Sequence, residues 1–173
     1  VRKFGHKVFY GDAERLDLLE IAGLATAKLL VIAIDDSIKA LKIATLVRQS
    51  YPNVKIMLRV RSRTDVYEAL NQGFKAEEIY RETFDSALNT AIASFKFLGA
   101  SEKQAELAAN DFRQLDMEQL LKMQPYYTGK MNDDYITQAR LNSEQLENIL
   151  TLDNEEINDP NVEPILANKS SGE

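Results

Sequence analysis

Residues 29–60 read LLVIAIDDSIKALKIATLVRQSYPNVKIMLRV: an apolar run, an amphipathic stretch and a second apolar run. The first run, Leu29–Ile34, is apolar on both faces, which is typical of a central strand in a parallel sheet. The Asp-Asp-Ser sequence that follows favours a helix cap, and the helix is predicted to extend to about Ser50. A second strand is predicted over Val54–Val60, so this stretch indicates a strand–helix–strand unit.

The same alternation continues on both sides of this unit. Upstream, His6–Tyr10 is predicted to be a short strand and Glu14–Leu24 a buried helix. Downstream, a helix is predicted over Thr64–Gln72, ended by Gly73 and followed by a short strand at about Glu78–Tyr80. Strands and helices that alternate with short links are typical of an α/β fold with a parallel sheet.

The second half of the chain shows a helical pattern. One long helix is predicted over Thr83–Leu98, and a Ser-x-x-Gln capping box begins a second helix at Ser101. Their apolar stripes exceed what a small sheet can cover, so a second copy of the chain is expected to pack on them. A third helix is predicted from about Asp133 to Leu150. We therefore predict an α/β region over 1–82, dimerisation helices over 83–152 and an acidic disordered tail over 153–173.

The composition argues against several classes of function. The chain has 173 residues, a formal net charge of −6, no cysteine and one histidine, His6. With this composition we expect no zinc site and no Ser–His or Cys–His catalytic set, and hence no enzyme. The sequence shows no broad basic face, which argues against nucleic acid as a partner. It also contains no apolar run of about eighteen residues that could span a bilayer.

Charged residues stand at the ends of three predicted strands: Asp12 after the first, Asp35 and Asp36 after the second, and Arg59 and Arg61 at the third. Ligands of a doubly wound sheet bind beyond the carboxyl ends of its strands. The acids could accept hydrogen bonds from ribose hydroxyls or an adenine amine, and the two arginines could contact phosphates. Two alternatives stay open: the acids are helix caps, or all these charges are solvated strand ends.

Arg81 stands where the last predicted strand passes into the long helix. A cation gains nothing from the dipole at a helix N-terminus, so its placement indicates a bound anion or a partner carboxylate. An ion pair within the chain, with Glu78 or Asp85, is the alternative that stays open.

Three motifs carry a family resemblance: VRKFGHKVFYGDAERLDLLEIAG at 1–23, AIDD at 33–36 and RETFDSAL at 81–88. Together they resemble the cytoplasmic regulatory domain of bacterial glutathione-regulated potassium-efflux systems, over Val1 to about Lys122. The resemblance implies a Rossmann-like parallel sheet that is incomplete at the N-terminus of this chain, with the missing strands and the GxGxxG loop upstream of Val1. In the strand order 3-2-1-4-5-6, the strands near Leu29, Val54 and Glu78 would be the fourth to sixth and lie side by side.

The resemblance also implies a function as a ligand-gated regulator. The domain would form a homodimer and control the membrane pore of the same polypeptide, a potassium/proton antiporter, at the cytoplasmic face of the bacterial inner membrane. Glutathione would hold the pore shut and its adducts would open it, while an adenine nucleotide, AMP or NAD(H), occupies the Rossmann core. A soluble oxidoreductase would serve as an ancillary activating subunit.

The resemblance assigns roles to individual residues. Arg81 would bind a carboxylate of glutathione, and Phe4 would be a ligand-sensing aromatic residue. Asp116, in DFRQLD, stands where the family typically has an amide, and a carboxylate facing an anion is unfavourable there. The nucleotide site would be lined by Asp12, Ala33, Ile34, Asp35, Arg59 and Arg61.

Two other functions stay open. A regulatory domain of another potassium or proton transport system would respond to nucleotide alone, so a response to glutathione distinguishes the two. An NAD-dependent reductase would need a glycine loop and a proton donor, and the tyrosines show no Tyr-x-x-x-Lys-like placement.

Overall fold

The structure is a computed structural model that describes residues 7–143. The chain divides into two compact units, one ending at Phe84 and the other beginning at Asp85. The helices and strands are α1 Leu16–Ile21, β1 Leu29–Ile32, α2 Ser37–Ser50, β2 Lys55–Val60, α3 Arg63–Asn71, β3 Ile79–Arg81, α4 Phe84–Phe97 and α5 Glu102–Met123. Short 3₁₀ turns lie at Leu24–Thr26, Ala76–Glu78 and Gln124–Tyr126, and residues 133–143 are helical.

The first unit contains one parallel sheet with the strand order β1-β2-β3. Its register places Leu58 of β2 opposite Ile32 of β1 and Ile79 of β3. The prediction that these three strands are parallel neighbours is confirmed, and so is the α/β class with helices following the sheet.

The central strand β2 buries alternate side chains, namely Ile56, Leu58 and Val60. The helix α2 contacts β1 and β2, and α3 contacts β3. The α2 face that is buried repeats at helical spacing through Ala40, Ile43, Ala44 and Val47. The core of this unit therefore lies on one face of the sheet. There the side chains at every second position of β2 pack against the side chains that α2 buries at helical spacing.

The opposite face of the sheet is open over the described residues, and its large apolar side chains are exposed: Leu29, Val31, Met57 and Tyr80. The sequence of β1 is apolar on both faces, yet only one face is covered here. Arg59 is also on this open face, because the register pairs it with Tyr80.

Residues 7–10 are not a strand, so the prediction of a strand over His6–Tyr10 is wrong for the part that the structure describes. A strand needs a neighbour for its backbone hydrogen bonds, and β1, β2 and β3 pair only with one another. The helix α1 is also shorter than predicted. It ends at Ile21, since Gly23 takes a left-handed φ of 108° and the chain continues as a 3₁₀ turn.

The helical predictions for the second half hold where the structure describes it. In the capping box, the Ser101 hydroxyl accepts the N–H of Gln104 at 3.3 Å, and the Gln104 side chain accepts the N–H of Ser101 at 3.0 Å. The predicted third helix is present over residues 133–143. Its remainder and the acidic tail lie outside the described residues.

An amino-end clamp, formed by Arg48, Gly73, Phe74 and Glu78, joins the last turn of α2 to the segment before β3. The Arg48 guanidinium lies 3.5 Å from the Phe74 ring centroid, donates to the Gly73 carbonyl at 2.8 Å and pairs with Glu78 at 2.7 Å. Burial raises the pKa of Glu78, but the N–H of Lys75 and the Arg48 charge outweigh it and hold that pKa below its ordinary value. The clamp borders a cavity of about 340 Å³ at the amino ends of the strands, away from their carboxyl ends.

Leu58→Ala tests the packed face, where Leu58 is 1% exposed. We expect the free energy of unfolding of the first unit to fall by about 2–5 kcal/mol, because a cavity opens under α2. Met57→Ala is the matched control, on the open face of the same strand and 38% exposed, and should cost about 1 kcal/mol or less. Urea denaturation followed by circular dichroism measures both, and equal losses would contradict the assignment of faces.

Candidate ligand-binding site

The carboxyl ends of β1, β2 and β3 lie side by side because the strands are parallel and adjacent. The segments that leave this edge begin at Ala33 after β1, at Arg61 after β2 and at Glu82 after β3. Most of the residues predicted for the nucleotide site are therefore brought together here: Ala33, Ile34, Asp35, Arg59 and Arg61.

Arg59 joins the segments that follow the two outer strands of the sheet. We call Asp35, Arg59 and Glu82 together the Arg59 bridge. One terminal nitrogen of the guanidinium donates to Asp35 at 2.8 Å, and the other donates to Glu82 at 2.9 Å. The Arg59 side chain is 27% exposed, whereas that of Asp35 is 86% exposed. Arg61 is exposed and lies 3.7 Å from the second Glu82 oxygen. The two arginines predicted as phosphate ligands thus have different surroundings.

Asp35 and Asp36 have separate roles in the structure. The Asp36 carboxylate accepts the N–H of Lys39 at 3.0 Å and is the N-cap of α2. Asp35 pairs with Arg59 instead and faces solvent. Of the two alternatives for these acids, the cap explains Asp36 and leaves Asp35 as the candidate for ligand contact, beside exposed Ala33 and Ile34.

Asp12 lies in a turn that precedes α1, where its side chain accepts the N–H of Glu14 at 3.0 Å. Glu14 pairs with Lys42 of α2 at 2.8 Å. The pKa of Lys42 is raised, mainly by its bond to Glu14 and in smaller part by the charge of Asp12. The Asp12 turn therefore lies beside α2, the helix that begins at the candidate site.

Both helices that begin at this edge are capped by their own acids. In α3 the Asp65 carboxylate accepts the N–H groups of Ser62 at 2.9 Å and Arg61 at 3.1 Å. Burial raises the pKa of Asp65, and these bonds outweigh it and hold the pKa below its ordinary value. In α2 the N-cap Asp36 accepts the N–H of Lys39, so a carboxylate already lies at the start of each of these two helices, and an anion there would meet negative charge. The described edge suits hydroxyl and amine groups better than phosphate.

Arg81 ends β3, and its guanidinium lies 3.8 Å from the ring centroid of Phe84. The following residue, Glu82, donates its backbone N–H to the Val60 carbonyl at 2.8 Å, which fixes the turn out of the sheet. The two carboxylates considered as partners of Arg81 each have another cation nearby. Glu78 is 2.7 Å from Arg48, and Asp85 is 2.8 Å from Arg113.

Two predicted ligand residues lie elsewhere. Phe4 is outside the described residues. Asp116 belongs to the second unit, where it is buried on the face of α5 that also buries Ala109 and Leu120.

Sequence reasoning missed the contact between Glu82 and Arg59. The signal that could have revealed it is the position of Arg59 in a central strand. A guanidinium there reaches acids that follow both neighbouring strands, and Glu82 directly follows β3.

The comparisons with known proteins agree with this fold. A model of the TrkA-N domain matches residues 1–82, and a model of the potassium efflux system KefB C-terminal domain matches residues 86–164. The solved structure of the Kef CTD of Shewanella denitrificans in AMP bound form is 45% identical, with a TM-score of 0.66. The alignment covers 70% of this chain and 76% of that chain.

The parallel sheet with its polar carboxyl edge, followed by long helices, defines a regulatory domain with a Rossmann-like core. The chain belongs to the Kef family, the C-terminal domains of potassium-efflux systems. Among residues 7–143, none of the helices has the length and apolar character needed to cross a membrane.

Asp36→Ala tests the division of roles between the two aspartates. The loss of the N-cap should lower the free energy of unfolding by about 1 kcal/mol. Asp36→Asn keeps a hydrogen-bond acceptor and should lower the free energy of unfolding by only about a few tenths of a kcal/mol. Asp35→Ala removes only a partly exposed ion pair and should cost less than about 1 kcal/mol. Chemical denaturation compares the three variants, and a larger loss for Asp35→Ala than for Asp36→Ala would refute the division.

Proposed function

We propose that this chain is the nucleotide-binding, ligand-sensing part of a potassium-efflux system, and that it regulates transport without catalysing a reaction. The observation that carries the proposal is the 45% identity to a Kef CTD with AMP bound, over 70% of this chain. The polar edge beyond β1 and β2 supports the same function, because this is where a doubly wound sheet binds nucleotides.

The nucleotide we propose is an adenine nucleotide, AMP or NAD(H). The exposed Asp35 carboxylate is placed to accept hydrogen bonds from ribose hydroxyls, and exposed Ala33 and Ile34 lie next to it on the same segment. Asp12 lies beside α2 and is proposed as a second acceptor. Because Asp35 and Glu82 engage Arg59, we assign phosphate contact to Arg61 rather than to Arg59.

The regulatory ligand we propose is glutathione, a tripeptide with two carboxylates. The Arg81 guanidinium lies 3.8 Å from the centroid of the Phe84 ring, and a planar guanidinium matches a carboxylate with two parallel hydrogen bonds. Phe4 remains the proposed sensor of the adduct group. Asp116 stands where the family typically has an amide, and by its charge we propose that it weakens glutathione binding.

The proposed partners are a second copy of the chain and the membrane pore of the same polypeptide, at the cytoplasmic face of the bacterial inner membrane. A soluble oxidoreductase is the proposed ancillary subunit. Support for the homodimer comes from the apolar side chains that α4 and α5 expose: Phe95, Phe97, Leu107, Phe112, Leu115, Met117 and Leu121.

The second candidate function is a regulator that responds to nucleotide alone. Asp116 favours this candidate, because the resemblance implies an amide at this position and a carboxylate in its place would repel an anionic peptide. The response of the protein to glutathione separates the two candidates.

AMP titration by calorimetry tests the nucleotide site in the full-length protein. Asp35→Ala should weaken AMP binding about tenfold, which corresponds to about 1.4 kcal/mol for a lost hydrogen bond to a charged acceptor. Asp36→Asn is the matched control, since it keeps the cap and should bind AMP within about twofold of the parent protein. An unchanged affinity in Asp35→Ala would refute the site, and competition by NADH shows whether dinucleotides share it.

Arg81→Ala tests the glutathione assignment. The variant should fold and bind AMP, yet lose the rise in melting temperature that glutathione causes in the parent protein. Arg15→Ala is a control, because Arg15 is an exposed cation that pairs with Asp17 in α1. If glutathione stabilises Arg81→Ala as much as the parent, the assignment is wrong; if it stabilises neither, the nucleotide-only function is supported.

A further inference from the structure

Arg59 is a charged residue in the central strand of the sheet, and it is partly buried there. Its side chain is on the open face and 27% exposed, and its Nε atom is buried without a hydrogen-bond partner among the described residues. Leaving a buried donor unpaired costs stability. We infer that the role of Arg59 lies in the contacts of its two terminal nitrogens with Asp35 and Glu82.

The two carboxylates belong to different segments of the candidate site. Asp35 directly precedes the cap of α2, in the segment that the proposed function assigns to the nucleotide. Glu82 directly follows Arg81, which the proposed function assigns to glutathione, and its backbone N–H is bound to Val60. One guanidinium thus connects two segments that would contact different ligands.

We propose that Arg59 is a positioning residue that couples nucleotide binding to ligand binding at Arg81; this inference rests on the proposed function. When a ribose hydroxyl engages Asp35, the Asp35–Arg59 ion pair weakens and the guanidinium pairs more strongly with Glu82. Glu82 then attracts Arg61 less strongly; the Arg61 Nε atom lies 3.7 Å from the second carboxylate oxygen of Glu82. The turn that carries Arg81 is held more firmly, so nucleotide strengthens glutathione binding.

The chemistry of the bridge requires arginine rather than lysine. The guanidinium presents separate nitrogens in a rigid fork, and these reach two carboxylates on opposite sides of β2 at once. A lysine ammonium is a point charge on a flexible stem and holds one carboxylate well. Arg59→Lys therefore keeps the charge and loses the connection.

The amino-end clamp provides a matched comparison for a purely structural arginine. The Arg48 side chain is 32% exposed, close to the 27% of Arg59. It also joins two segments through a carboxylate, namely α2 and the turn before β3. It acts at the opposite ends of the strands, away from the candidate site. If Arg59 only stabilises the fold, Arg48→Lys and Arg59→Lys should have the same effects.

The experiment measures glutathione affinity in the full-length protein by calorimetry, without AMP and with saturating AMP. In the parent protein we expect AMP to strengthen glutathione binding about fivefold, the lower end of usual coupling between sites. In Arg59→Lys this ratio should fall to about one while each ligand still binds. In Arg48→Lys the ratio should stay about fivefold, although the melting temperature falls.

Each outcome decides the proposal. A fivefold ratio that persists in Arg59→Lys overturns it, and so does a parent protein that binds both ligands with a ratio of one; the proposed function then stands. If the parent fails to bind either one of the two ligands, the part of the proposed function that names that ligand fails, and this inference fails with it. Should Arg59→Lys not fold, Glu82→Gln removes the same connection by neutralising one carboxylate, and its ratio decides in the same way.

Discussion

The packing of β2 against α2 is the constraint on which the first unit depends. Ile56, Leu58 and Val60 are buried at every second position, so the intervening residues must face the other way. A shift of one residue would bury Arg59 and expose Leu58, which the hydrophobic effect opposes. The core therefore determines that a guanidinium is on the open face of the central strand, within reach of both neighbours.

The parallel arrangement of the strands gives the two ends of the sheet different chemistry. At the amino ends, Arg48 stacks on Phe74 and bonds to Glu78 beside a cavity. At the carboxyl ends, Arg59 bonds to two acids, one of which is almost fully solvated. Exposed ion pairs contribute little to stability, so the value of the Arg59 bridge lies in the segments it connects rather than in the energy it adds.

The helix caps define what the described part of the site can recognise. Asp36 and Asp65 occupy the N-terminal turns of α2 and α3 and satisfy backbone N–H groups that elsewhere bind phosphates. Acceptors for hydroxyl and amine groups remain, chiefly at Asp35. This division is in keeping with a family member that is known with AMP bound, a ligand that presents ribose and adenine as well as phosphate.

The order of strands and helices, their parallel pairing and the cap at Ser101 followed from the sequence, because each depends on neighbours within a few residues or on a repeating apolar pattern. The same local patterns misplaced a strand at 7–10, since its apolar residues do not reveal whether a pairing partner is present. The family resemblance of the motifs was also available from the sequence.

Only the tertiary structure separated Asp35 from Asp36 and revealed Glu82 as a partner of Arg59. An aspartate pair before a helix offers two equivalent caps in sequence, and the choice between them depends on the backbone path out of β1. The Arg59 bridge spans residues 35 to 82, which become neighbours only when three strands adopt one register. The sequence shows that acids follow both neighbouring strands, but it does not record the register, so the tertiary structure decided which of these acids Arg59 contacts.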